Sequence, residues 1–87
     1  MRGEPLHETI RRLMREVAEK HGVAVADLEG PSRRPAFTRP RQELMWRLRR
    51  EARLSYPAIG RRLGGRHHTT VLHGVRAHQR GLDALPA

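Results

Sequence analysis

The sequence predicts an all-α fold: a compact helical bundle of about five helices whose last two form a helix-turn-helix. Apolar residues recur every three or four positions, and no alternating strand pattern is present. Glycines and prolines punctuate the chain where one helix would give way to the next. The pair Gly64-Gly65 then separates two helical patterns by a short turn of the helix-turn-helix kind.

The elements follow in order. Pro5 suits a first helical turn, and Leu6, Ile10, Leu13, Met14 and Val17 share one side of a helix that ends near His21-Gly22, glycine being suited to a left-handed terminus. "VAVADLEG" (23–30) reads as a short helix or turn ending at Gly30. "PSRRPAFTRPR" carries Pro31, Pro35 and Pro40, too many for continuous helix, and is predicted to be a basic loop over 31–38. A third helix is expected from around Arg39-Pro40, with Leu44, Leu48, Ala52 and Met45 inward and Arg47, Arg49, Arg50 and Arg53 largely elsewhere. Trp46 reads as core packing, with a partner or nucleic-acid face as the alternative. Ser55 is a good N-cap for a short fourth helix that tolerates Pro57 in its first turn and is anchored by Ile59 and Leu63. The last helix runs from about His67 or His68 to Leu82, with Val71, Val75 and Leu82 as its apolar stripe. One domain is expected over 1–87, with its core at about 5–82 and the helix-turn-helix at about 55–82.

Charge points to a partner. The net charge is +9, and Lys20 is the only lysine among 18 basic residues. Between residues 30 and 82, thirteen arginines face only Glu43 and Glu51, whereas up to Glu29 acids and bases nearly balance. Such an asymmetric field implies a polyanion, and the planar arginine fork fits phosphate oxygens and guanine edges. There is no cysteine, hence no disulfide framework or thiolate metal site. No apolar run approaches the roughly 20 residues of a membrane span, and the first residues lack a signal-peptide core. The protein is therefore expected in the cytoplasm, at the nucleoid.

The stretch "GGRHHTTVLHG" (64–74) is the densest motif. Its polar cluster at 66–70 falls at the start of the second helix of the helix-turn-helix, where side chains meet base edges in the major groove. A helix start also presents unpaired N–H groups to phosphate. Metal binding is disfavoured: His67 and His68 are adjacent, and His73 and His78 miss the i, i+4 spacing of a helical zinc pair. No acid is placed to orient a catalytic base, so no enzyme activity and no cofactor are expected. A single-stranded nucleic-acid platform would want more aromatics than Phe37, Trp46 and Tyr56. The apolar side of the third helix is needed for the core, which argues against a membrane partner.

These residues also carry a family resemblance. "RPRQ" (39–42), "SYPAIGRRLGGRHHTTVLHG" (55–74) and "VADLEGPSRR" (25–34) resemble the C-terminal DNA-binding domain of the bacterial chromosomal replication initiator DnaA, whose signature here is close to GGRDHTTVLHA. The resemblance covers about residues 9 to 82. It implies a Trp-repressor-like helix-turn-helix that reads duplex DNA in the major groove, while Arg33 from the basic loop enters the adjacent minor groove with Arg34 beside it. By the same resemblance Arg41 and Gln42 serve backbone and base edges, and His68 and Thr69 read bases. Arg34, Arg49, Tyr56, Arg66 and Thr70 contact phosphate. His67 stands where the family has an aspartate that accepts from a cytosine amino group; an imidazole N–H would instead donate to guanine N7 or O6, or touch nothing. Gly74 replaces an alanine. The ATPase motif GxxxxGK[ST] is missing, so a small free-standing regulator of transcription or replication initiation is expected, in preference to an excised initiator domain. Double-stranded DNA is the expected partner, one monomer per site, with replication or transcription proteins beyond it. Structured RNA or a general polyanion is the alternative.

Overall fold

The computed structural model describes residues 3–86, and among these every regular element is helical. Helix α1 spans Leu6–His21 after Pro5, whose φ of −56° suits a helix entrance. It buries Ile10, Leu13, Met14 and Val17, the side marked by its 3.6-residue period. Gly22 ends it in the left-handed conformation at φ 67°, and Val23 N–H returns to Ala18 O at 3.0 Å, closing the Schellman pattern that glycine allows.

Helix α2, Val25–Glu29, is a single turn that drives Leu28 into the core and is closed by Ala24 N–H donating to Asp27 Oδ2 at 3.2 Å. Residues 31–34 form an irregular loop, followed by a 3₁₀ turn at Pro35–Phe37. The expected basic loop is thus half structured. Helix α3, Thr38–Arg50, starts slightly before the expected Arg39-Pro40 and accepts Pro40 in its first turn. It is the central element, packed against α1 on one side and α5 on the other.

Ion pairs fasten α1 to α3. Arg47 Nη1 lies 2.9 Å from Glu16 Oε1, and Glu43 Oε1 accepts from Lys20 Nζ at 2.9 Å and pairs with His21 Nε2 at 3.1 Å. Burial alone would raise the Glu43 carboxyl, but the hydrogen bonds from Lys20 and His21 outweigh it and hold the group below its ordinary value.

Helix α4, Tyr56–Arg62, begins at Ser55, whose hydroxyl accepts from Ala58 N–H at 3.2 Å, the cap read from the sequence. Ile59 and Leu63 are fully buried. Gly64 and Gly65, at φ 81° and 70°, make the turn into α5, His68–Asp83. Leu13, Leu28, Leu44, Leu48, Ile59, Leu63 and Val71 meet in one core; each such burial is worth about 1.5–3 kcal/mol.

Two expectations about this core change. Leu82 is 38% exposed and stands apart from the core, so the apolar stripe of α5 that packs on the core stops at Val75. Trp46 is only half buried: its Nε1–H donates to Gln79 Oε1 at 2.9 Å, and its ring lies 5.0 Å from His78, making an α3–α5 seam at the edge of the core.

Gly60 decides how close α5 can come. A Cβ there would collide with the Arg66 carbonyl oxygen, while Gly60 O accepts Arg66 N–H at 2.9 Å. The obstacle is backbone, which cannot rotate away. Gly60→Ala is expected to destabilise the protein by about 1–3 kcal/mol, despite alanine's better helix propensity. A fall in the urea midpoint at unchanged m-value would register it.

Candidate nucleic-acid interface

The α4–α5 turn lifts the start of α5 clear of the core. His67, His68, Thr69 and Thr70 are all exposed, although Val71, one residue on, is completely buried. The helix therefore enters the core only after its first turn, leaving the polar tip in solvent. With about 100° of rotation per residue, Thr69, His73, Arg76 and Arg80 form one outward stripe along the rest of α5, and all four are exposed. His73, Arg76 and Arg80 stand outside the expected set of contact residues, although their helical spacing from Thr69 is a signal that places them on the same stripe.

His67 does more than expected of it. It is the N-cap of α5: Thr69 N–H donates to His67 Nδ1 at 3.2 Å, and Thr69 Oγ1 lies 2.7 Å from the same nitrogen. In the neutral ring Nδ1 is then the acceptor, so the proton sits on Nε2 as a donor. The ring stacks on His68 with centroids 4.1 Å apart. An aspartate at this position would supply the same cap but present an acceptor outward.

Beside this tip lies an open concave face. Arg33, Gln42, Thr69 and His73 line it with Arg80, so the loop, the start of α3 and the face of α5 converge on one surface. Arg33 and Arg34 are exposed on the loop, and Gln42 is half buried. Gly74, buried under the face, lets α5 approach α3 so closely that a Cβ would stand 2.5 Å from Met45 Sδ. Arg49 and Tyr56 lie outside the concave face. They pair with each other: the Arg49 guanidinium sits 4.6 Å from the Tyr56 ring centroid and donates to Leu54 O at 3.1 Å.

Arg41 departs from its expected role. It is buried, with 5% of its surface exposed, and does not reach out to a base. Its Nε–H donates to Leu28 O at 3.3 Å, while Nη2 donates to Asp27 O at 2.6 Å and Gly30 O at 3.1 Å and Nη1 to Ser32 O. Most of its five donors are consumed by backbone. Arg66, half buried, joins it. Arg66 Nη1 donates to Gly30 O at 3.1 Å and to Leu63 O, and Nη2 to Ser32 O at 3.2 Å, which leaves Nε–H and one Nη2–H for other acceptors. Among the described residues neither guanidinium has a carboxylate salt bridge. Burial, then the charge of Arg66, pulls Arg41 below its ordinary value; burial, then Arg33, does the same to Arg66. Three arginines thus raise a positive potential at one edge of the face. His78 lies away from it, and burial against Trp46 lowers its imidazole. No group of three His, Asp or Glu among the described residues is placed to hold a metal ion, and no helix there is long and apolar enough to cross a membrane.

Residues 10–77 match the family described as the bacterial dnaA protein helix-turn-helix. Among curated proteins, the chain is similar to chromosomal replication initiator proteins DnaA. It is 48% identical to that of Caulobacter vibrioides and 46% identical to that of Cereibacter sphaeroides, each over 68 residues and 78% of this chain. With that of Thermomicrobium roseum it shares 51% identity over 63 residues, 72% of the chain. The aligned part is 14–15% of each relative, so the chain spans about one seventh of the length of the curated relatives it matches. No solved structure matches.

The cap at His67 can be tested apart from any ligand. His67→Ala should lower stability by about 1 kcal/mol, whereas His67→Asp, which restores a capping oxygen, should leave it near wild type. Chemical denaturation of the two variants distinguishes these outcomes.

Proposed function

The chain belongs to the bacterial DnaA helix-turn-helix family, and from that premise we propose that it binds double-stranded DNA in a sequence-specific manner. The observation that carries the reading is the exposed polar tip of α5 standing beside an arginine-bearing loop on one concave face. A helix with its side chains is about 10–12 Å across, and the major groove of B-form DNA is about 12 Å wide. In this reading His68 and Thr69 meet base edges there, the Thr69 methyl group being suited to a thymine methyl, and Gln42 flanks them from α3. The loop then lies over the neighbouring minor groove, whose negative potential draws in the Arg33 guanidinium. Arg34, Arg49, Tyr56, Arg66 and Thr70 hold the phosphates, aided by the positive end of α5.

His67 sets this chain apart from the family signature. Its Nε2–H is a donor, so it favours an acceptor such as guanine N7 or O6 where an aspartate would favour the cytosine amino group. The proposed role is binding alone, in keeping with the match to the helix-turn-helix part of the family. Occupancy of such sites would regulate replication initiation or transcription nearby.

Selection from a random duplex library tests the reading. A preferred site should emerge, and log-log salt dependence should have a slope near −5 if about six phosphates are neutralised. His68→Ala or Thr69→Ala should relax discrimination by about 1–3 kcal/mol at one position, whereas Arg49→Ala should weaken all duplexes alike. His67→Asp should exchange the preferred base at a single position for cytosine. Equal affinity for duplex RNA would contradict the proposal, because A-form RNA closes its major groove to a helix.

A further inference from the structure

We propose that Arg41 and Arg66 are positioning residues, a two-arginine clamp that holds the basic loop so that Arg33 stands at a fixed place beside the tip of α5. The inference rests on the reading of this face as a DNA-binding surface. It starts from a coincidence of acceptors: the carbonyls of Gly30 and Ser32 each receive a donor from both guanidiniums, although Arg41 comes from α3 and Arg66 from the turn into α5. Gly64 closes the same junction. At φ 81° it packs so tightly that a Cβ would stand 2.6 Å from Gly30 O.

The loop has few other restraints. Residues 31–34 have no regular structure, and the one side-chain bond within them is Arg34 N–H to Ser32 Oγ at 3.3 Å. Without the clamp those residues would be ordered only on binding, at a cost in conformational entropy. A fork of five donors can grip several carbonyls at once, which an ammonium cannot. The arrangement is also poor as a device for stability alone, since it brings Arg33, Arg66 and Arg41 together without a carboxylate bridge. A duplex laid on the face would neutralise that repulsion. The clamp therefore trades repulsion in the free protein for a loop already in its binding geometry.

A double-mutant cycle between the clamp and the loop tests this, using the wild type's best selected duplex as probe. Arg66→Gln should weaken binding about tenfold in the wild-type background but only about threefold when Arg33→Ala is already present, the remainder being the loss of its own phosphate contact and the difference the coupling expected of residues acting through one another. Arg66→Lys should fail to rescue, and amides of Arg33 and Arg34 should exchange faster in the free Arg66→Gln protein while those of α1 and α5 do not. Arg41→Gln should behave alike; should it unfold the protein, the Arg66 variants still decide. Additive losses, rescue by lysine, or unchanged loop exchange would overturn the proposal. If the wild type prefers no duplex, the DNA reading falls instead, and the exchange measurement alone judges the clamp.

Discussion

The concave face depends on a handful of backbone carbonyls. Between Asp27 and Ser32 the chain leaves α2 with no strand or helix to receive its carbonyls, and guanidiniums from two distant elements fill that role. Because unpaired backbone acceptors are costly when buried, these bonds fix where the loop can lie. They also tie it to α3 and to the turn before α5, which are the other two walls of the concave face. A chain this small has a limited core, and here polar backbone contacts supply the registration that side-chain packing does not reach.

A second constraint acts at the turn. Gly60 admits the Arg66 backbone against α4, while Gly64 and Gly65 adopt left-handed conformations that reverse the chain within a few residues. Val71 then anchors α5 in the core one turn after its start. The exposed tip is a consequence of that spacing, and the His67 ring satisfies one of its first amides, that of Thr69. Local backbone freedom, capping and core burial all agree on one placement.

Much of this was legible beforehand. The helical period of Ile10, Leu13, Met14 and Val17, the Ser55 cap and the glycine stops at Gly22 and Gly64-Gly65 are local signals, and each element they mark is present. What escaped was long-range or unusual chemistry. The family resemblance puts Arg41 at DNA backbone and base edges, whereas its acceptors are protein backbone atoms 9 to 14 residues away that no side-chain pattern reveals. The resemblance marks His67 only as an altered base contact or none, and its cap is not legible because histidine is outside the usual set of capping residues. Leu82 matched the apolar spacing of α5, but nothing local says where the core ends. The roles of Arg33, Gln42, His68 and Thr69 came from the family signature; the structure adds that Arg33, Gln42 and Thr69 share a face, with His68 stacked at its rim.

Methylation protection on the selected duplex tests the central claim most directly, since one reagent reports guanine N7 in the major groove and adenine N3 in the minor groove. The account predicts N7 protection under α5 and N3 protection in the adjacent minor groove, with Arg33→Ala removing only the latter. Protection confined to one groove, or an Arg33→Ala variant that retains both, would contradict it.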